Sequence, residues 1–422
     1  MSRSSRARLK PFDWLLLCAP LALALVVLNT SPNYRITGPV VDGIEQRAAP
    51  RGGDFVQEYI GGTIIRRGDT QQLYDLEYVQ SLQHQDQPLG FRWPEEDYFP
   101  MVYPPFYYQA CQGLAALEYP WALWTWVLIG AAAMSVAVGL WWRWGPGGEA
   151  NRLLWMVAAL LFAPWLQNLN LAQKGSWLLL ILTGTFLLLR HRRPGWAGVV
   201  FGLIAFKPHL GLVIGLGMAW QRQYRFCLGA VATVAVQVGL SYFLAPELWR
   251  DYLEVVGSMG NYVQSGGYQL TDSHSLWGAG QLLLGGAGPQ VVKGLAITCG
   301  LVLVAALAWG LRRPADLASP HFASGFAALV LAMPLLSPHF YTYDLTLVLL
   351  PLAMLAGGAT PAAATVGGRR RWRGWCLVFY ALSGTFVWLA GVTRIQWSLM
   401  LLGLAIVWLL RERSSSPTAE TE

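Results

Sequence analysis

Charge is scarce in this chain: 13 % of its 422 residues are Asp, Glu, Lys or Arg, against 55 % hydrophobic. That is too little to solvate the surface of a soluble enzyme of this length. Cysteine is scarce and never paired. Cys18, Cys111, Cys227, Cys299 and Cys376 stand singly, with no CxxC and no disulfide framework, so they read as small apolar packing residues. HxxH, HExxH and DxD spacings are all lacking, which leaves a metal site with weak support and no cofactor to expect. Tandem repeats are lacking too, which weighs against a transporter built from paired halves.

What is present is a succession of apolar runs. A helix crossing the hydrocarbon core needs about 20 apolar residues, fewer where the bilayer thins. Candidate spans cover 14–28, 119–142, 153–166, 176–189, 195–206, 210–220, 226–244, 290–311, 322–336, 343–356, 375–392 and 395–410. The fold class expected is an all-α integral membrane bundle of about twelve helices. One domain, residues 1–410, is followed by a flexible tail, 411–422. The net charge of +7 does not imply nucleic acid, because the basic residues track topology. Arg3, Arg6, Arg8 and Lys10 precede the first span, which reads as an uncleaved anchor. Arg190/Arg192/Arg193, Arg222/Arg225, Arg312/Arg313 and Arg369/Arg370/Arg371/Arg373 fall on alternate connections. Both termini are expected in the cytoplasm.

Two outer loops remain, 30–118 and 245–289. The first carries six arginines against twelve acids, as an external segment should. Within it "DFVQEYIGGTIIRRG" places Phe55, Val56, Tyr59 and Ile60 on one face, and "LYDLEYVQSLQ" repeats the pattern. Both predict amphipathic helices lying on the membrane, apolar face down. The segments "GGATPAAATVGGRRRWRG" and "RERSSSPTAETE" are expected to be flexible.

Polar residues at a membrane edge are costly and mark candidate sites. Asp54, Glu58, Asn168, Asn170, Gln173, Lys174, Lys207, His209, Asp272, His274, His339, Tyr341, Tyr343 and Asp344 all fall toward the outer side of this topology, where they can line one cavity. Asp54 suits either a helix N-cap or a general base. Glu58 suits a second carboxylate of the site or a solvated helix charge, and the solvated charge is the favoured reading. Lys207 lies between two half-length apolar runs and suits either a ligand phosphate or a carboxylate such as Asp344. Tyr103, Tyr107 and Trp277 suit sugar stacking or interfacial anchoring. His274 and His339 read as hydrogen-bonded loop residues before metal ligands.

In order and spacing, four stretches resemble glycosyltransferase family 87, the C-type integral-membrane enzymes that include mycobacterial phosphatidylinositol-mannoside mannosyltransferases. They are "DFVQEYIGGTIIRRGDTQQLYD", "FPMVYPPFYY", "NLNLAQKGSW" with "AFKPHLG", and "SHSLWG" with "SPHFYTYDLTLVLLP". The resemblance implies a GT-C-type fold. It also implies Asp54 as catalytic base, a polyprenyl-phosphate-sugar donor, and inverting attack by a lipid or glycan acceptor at the outer face. Lys207, Lys174, Gln173, His209, His339, Tyr343, Asp344, Tyr103 and His274 would then hold substrate. Two departures stand out: Ala172 where the family often has Gly, and Tyr343-Asp344 where mannosyltransferase members often show a His pair. A flippase of lipid-linked sugar and a polymer ligase are the rival readings.

Overall fold

The computed structural model describes residues 11–95, 97–144, 152–264 and 269–414. The basic segment Arg3–Lys10 and residues 415–422 of the tail therefore lie outside the described residues. Helix dominates what is described, and the strands are confined to the first loop. There Val40–Val41, Ile44–Gln46 and Phe91–Arg92 form a small sheet in that order. Glu45 holds it: the carboxylate accepts from Thr37 N at 2.8 Å and pairs with Arg47 at 2.7 Å and with Arg51.

Apolar helices bear out an all-α membrane protein, while the count of about twelve spans is not confirmed. Among the described residues Tyr119–Arg143, Tyr224–Leu244 and Pro289–Gly310 are long and apolar enough to cross a bilayer, and Val366–Leu382 with Phe386–Thr393 makes a fourth only as a pair bent by 76°. The others are shorter. Gly175–Arg190, with 16 residues, rises only about 24 Å. The span expected at 153–166 is broken between Arg152–Leu160 and Ala163–Asn170.

The half-length runs around Lys207 form a hairpin. Pro194–Gly202 tightens into a 3-10 turn, Leu203–Phe206, and Pro208 opens the returning helix Pro208–Trp220. Proline fits the first turn because it has no amide to satisfy. The limbs pack closely: a Cβ on Gly211 would sit 2.9 Å from Ile204, and one on Gly215 3.8 Å from Phe201. The first limb packs through glycine on Tyr224–Leu244, where a Cβ on Gly198 would fall 2.0 Å from the Phe226 carbonyl and one on Gly229 2.2 Å from that of Gly195. Small residues take this role where lipid removes the hydrophobic drive between helices.

The arginine-bearing connections meet at one end of the bundle. Arg190 donates to the Ser319 carbonyl at 2.9 Å, Arg192 pairs with Asp316 at 2.7 Å, and Arg413 donates to Gln221 at 2.8 Å and to the Arg313 carbonyl at 2.7 Å. Of the two segments expected to be flexible, the described parts are largely helical. Thr365 caps Gly368 N at 3.1 Å and starts the helix Val366–Leu382, while the last helix, Trp397–Ser414, runs past Arg411 and is anchored by Arg413. Side-chain capping and a buried guanidinium supply order that Gly and Ser content does not register.

In the first loop, Phe55–Arg67 is not a surface helix. Every residue from Phe55 to Ile64 is buried in protein, with Phe55 against Tyr119 and Trp126. Glycine permits it: a Cβ on Gly61 would sit 2.2 Å from Tyr108, and one on Gly62 2.5 Å from the Cys111 carbonyl. The helix Pro105–Cys111 can therefore lie directly on it, covering the face that sequence pattern assigned to solvent. Leu76–Gln83 does show one buried side, with Val79 and Leu82 inward, but that side meets protein.

The turn into the buried helix depends on Gly52 and Gly53, both left-handed at φ +73° and +58°. A Cβ at Gly52 would also approach Leu123 Cδ1 to 2.5 Å. Gly52→Ala should cost about 1–2 kcal/mol from backbone strain alone, with crowding added. Gly43→Ala, at φ +83° with no atom within 4 Å of its Cβ, should pay only the strain. Melting in detergent checks this: Gly52→Ala should melt below Gly43→Ala, and equal melting temperatures would remove the crowding contribution.

Candidate active site

Asp54 stands at the head of Phe55–Arg67 with right-handed backbone, φ −65° and ψ −12°, and its side chain makes no capping bond. The N-cap position is occupied, but the carboxylate is directed elsewhere. Its Oδ2 accepts from Gln173 Nε2, across 119 residues of sequence. By contrast Asp75 does cap its helix, accepting from Tyr78 N at 2.9 Å. Some of Asp54 remains accessible, yet the protein around its carboxyl displaces most bulk water. That burial, with Glu58 adding repulsion, pushes its pKa up to about 6, against the opposing pull of Lys174, Lys207 and the Gln173 hydrogen bond.

Gln173 and Lys174 are presented by a tight connection between Ala163–Asn170 and Gly175–Arg190. Asn168 Oδ1 accepts from Gly175 N at 2.6 Å, and Ser176 Oγ accepts from Trp165 Nε1 at 3.1 Å. Gly175 has no room for a side chain, since a Cβ would lie 2.6 Å from Asn168 Oδ1 and 3.0 Å from the Tyr343 carbonyl. Ala172 sits in the left-handed region at φ +49°. That accounts physically for glycine at this position in the family the sequence resembles, since Gly reaches the conformation without Cβ strain.

Glu58, read from sequence as a solvated charge, is fully buried at 0 % exposure. One turn along the helix from Asp54, it pairs with Lys174 at 2.5 Å and accepts from Tyr107 OH at 2.9 Å. The Lys174 ammonium also lies 4.6 Å from the Tyr103 ring centroid. The signal for this pair was the i, i+4 relation of Asp54 and Glu58 on one helix face, but burial came from Pro105–Cys111, which no local pattern places there.

Lys207, at the hairpin tip, pairs with Asp344 at 2.8 Å, both side chains buried, and lies 5.4 Å from the Tyr343 ring centroid. Of the two partners the sequence left open, the carboxylate is present. Asp344 also accepts from Tyr341 N at 3.5 Å, fixing the turn that carries it. His209 and His339 sit within electrostatic range of Lys207 and of each other, and burial lowers the His339 pKa below its ordinary value. Asp54, Lys174, Lys207, Tyr343 and Asp344 are thus brought together, with His209 and His339 beside them.

His274 is not available to a sugar. It is fully buried, with Nδ1 2.6 Å from Ser398 Oγ and Nε2 2.8 Å from Thr342 Oγ1. Burial pushes its pKa down to about 3, so it is a neutral tether between the second outer loop and the last helix. Thr342 in turn donates to Asp272, and His274 N donates to the Phe340 carbonyl at 2.8 Å.

From this cluster a groove of 1270 Å³ runs down the apolar helix Gly175–Arg190. Tyr107, Lys174 and Phe206 stand at one end, Trp126, Trp177, Leu180 and Leu188 form its wall, and His191 and Arg193 lie at the other end. Tyr107 and Phe206 stack with centroids 5.4 Å apart. The groove is long and mostly apolar, with Lys174 at one end.

Removing one partner of the Glu58–Lys174 pair leaves the other charge buried alone, at a cost of about 3–5 kcal/mol. Glu58→Gln should therefore melt far lower than the native protein. Glu58→Gln with Lys174→Met should recover much of that loss, and a double variant no more stable than the single would contradict the pairing. Ala172→Gly, which relieves the left-handed alanine, should hold or slightly raise the melting temperature, as measured by thermal unfolding in the same detergent.

Comparison with known proteins bears on this geometry. Neither a curated protein nor a solved structure matches the chain. A profile described as glycosyltransferase family 87 matches residues 101–338, more than half of the chain. The match takes in Tyr103, Gln173, Lys174, Lys207, His209 and His274, whereas Asp54, His339, Tyr343 and Asp344 lie on either side of it. Membrane helices in this order, together with that match, make the chain a member of glycosyltransferase family 87 and a membrane glycosyltransferase.

Proposed function

We propose that the protein transfers a hexose, mannose by its family resemblance, from a polyprenyl-phosphate carrier to a hydroxyl of a lipid or glycan acceptor, with inversion and with Asp54 as general base. The observation that carries this reading is the juxtaposition of a raised, partly accessible carboxylate with a lipid-sized apolar groove whose polar end holds Lys174. A soluble nucleotide-sugar donor would have no use for that groove, whereas a polyprenyl chain fills it.

In the reaction the acceptor hydroxyl attacks C1 of the sugar as the bond from C1 to the phosphate oxygen breaks. The proton passes to Asp54 and the negative charge to the departing phosphate. Lys174 and Lys207 lie in the same cluster, and each is already paired with a carboxylate. A phosphate entering at the groove mouth shares these ammonium groups and is stabilised as its charge grows. Gln173 orients the Asp54 carboxylate, and its buried Oε1, which has no partner among the described residues, suits a substrate hydroxyl. Tyr103 and Tyr343 present rings to the two lysines and to the space between them.

The sidedness proposed is external. The arginine-bearing connections gather at the end opposite the Asp54 cluster, and the positive-inside rule assigns that end to the cytoplasm. A flippase is disfavoured because the polar residues cluster at one end of the bundle and no paired halves are evident.

Asp54→Asn tests the base directly. Transfer from a radiolabelled polyprenyl-phosphate hexose to native lipid extract should fall by about 10²–10⁴-fold, and undiminished transfer would remove Asp54 from the chemistry. In the native enzyme kcat/KM should fall as pH drops through about 6, because protonation removes the base; a profile flat from pH 5 to 8 would contradict this. The folded pKa lies above the unfolded one, so ionised Asp54 weighs against the fold as pH rises through that value. Asp54→Asn should therefore melt no lower than the native protein at pH 7.5, which separates lost chemistry from lost structure.

A further inference from the structure

At the arginine-bearing end, remote from the Asp54 cluster, a second groove of 510 Å³ opens between the antiparallel helices Val366–Leu382 and Trp397–Ser414. Its size falls within the range of about 300–1,000 Å³ common to small-molecule sites. The floor is glycine: a Cβ on Gly367 or on Gly374 would meet no atom within 4 Å. The walls are Trp375, Val378, Leu401 and Trp408, and Arg370 and Arg371 stand at the mouth.

Two features show that the groove is built. Trp375 Nε1 donates to the Leu401 carbonyl at 3.0 Å, which fixes the helix register along its length, and Trp372 Nε1 donates to Glu412 at 2.7 Å beneath the mouth. Arg371 is held across the Trp408 ring, 5.2 Å from its centroid, by an ion pair with Glu412 at 3.2 Å. Arg370 is exposed at the same level. Residues 369–373 carry four arginines, and the acid facing them across the groove is Glu412, already engaged by Arg371 and Trp372. The mouth is therefore strongly cationic while the slot below it is apolar.

We propose that this groove binds an anionic phospholipid of the arginine-side leaflet, with its phosphate at Arg370 and Arg371 and one acyl chain along Gly374, Val378 and Leu404. Charge complementarity selects the occupant. A zwitterionic lipid would bring its own ammonium to the arginines, and a second protein copy would have to bring acids to them, since among the described residues the acid on this face, Glu412, is already engaged by Arg371 and Trp372. From Arg371 to Val378 the slot runs about 10 Å along the helix, enough to seat the upper part of an acyl chain below a phosphate held at the interface. Basic pockets between membrane helices take anionic headgroups by this same division of charge and hydrocarbon. The bound lipid ties Val366–Leu382, which is bent from its continuation by 76°, to the final helix.

The test is native mass spectrometry of the full-length protein in mixed micelles holding equal dioleoyl-phosphatidylglycerol and dioleoyl-phosphatidylcholine. The native protein should retain phosphatidylglycerol at least fivefold over phosphatidylcholine. Arg370→Gln, which removes an exposed charge, and Gly374→Leu, which fills the open floor, should each reduce retained phosphatidylglycerol at least fivefold, with unchanged lipid-free melting temperatures confirming the fold. Equal retention of the two lipids, persistence of phosphatidylglycerol binding in either folded variant, or a dimer that covers the groove at assay concentration would overturn the proposal.

Discussion

Charge buried near a membrane has to be answered by charge, and the Lys174–Glu58 pair is where this protein meets that demand most fully. Both side chains are essentially inaccessible, at 1 % and 0 % exposure, and an isolated ion in such surroundings carries a penalty of several kcal/mol. Glu58 can reach Lys174 only because Phe55–Arg67 is drawn into the interior, and that helix enters the interior only because Gly61 and Gly62 admit Pro105–Cys111 against it. Asp54, one turn earlier, then projects at the edge of the same cluster. Its position is a consequence of the ion pair behind it.

A second pair, Lys207–Asp344, is held at the tip of the short hairpin, with the Tyr343 ring centroid 5.4 Å from the Lys207 ammonium. Two ammonium groups are thus stored in place beside neutralising carboxylates. Asp54 is different: its hydrogen-bond partner is the neutral amide of Gln173. A carboxylate oriented by an amide and raised by burial is suited to accept a proton near neutral pH. Fixed lysines nearby are suited to share their charge with an arriving phosphate.

Much of this was legible in the sequence, and the parts that were not share a cause. Hydropathy, arginine spacing and the clustering of polar residues at span ends gave a helical membrane protein with one polar end, and the half-length runs around Lys207 gave the hairpin. Asp54, Gln173, Lys174, Lys207, Tyr343 and Asp344 were singled out and do meet. Glu58 was misread because its burial is made by a helix 49 residues away, and helical periodicity reports which residues share a face without reporting what covers it. His274 is the hydrogen-bonded loop residue that its type suggested, but its partners Ser398 and Thr342 come from distant segments that no local pattern shows. Apolar composition does not register breaks such as Leu161–Phe162 or the bend at Ser383–Thr385, so the runs read as spans come out as shorter or broken helices. The tail from Arg411 looked flexible, although the hydrogen bonds of Arg413 hold the helix through to Ser414.

The central claim is that a lipid-phosphate sugar reaches Asp54 along the groove beside Gly175–Arg190. It is tested most directly by single-turnover transfer with the purified protein, comparing a hexose on a polyprenyl phosphate with the same hexose on a nucleotide diphosphate. Product formed from the polyprenyl donor alone, with inverted configuration at C1, is the predicted result. Product from the nucleotide donor, or movement of the polyprenyl donor across vesicles with no product at all, would contradict it.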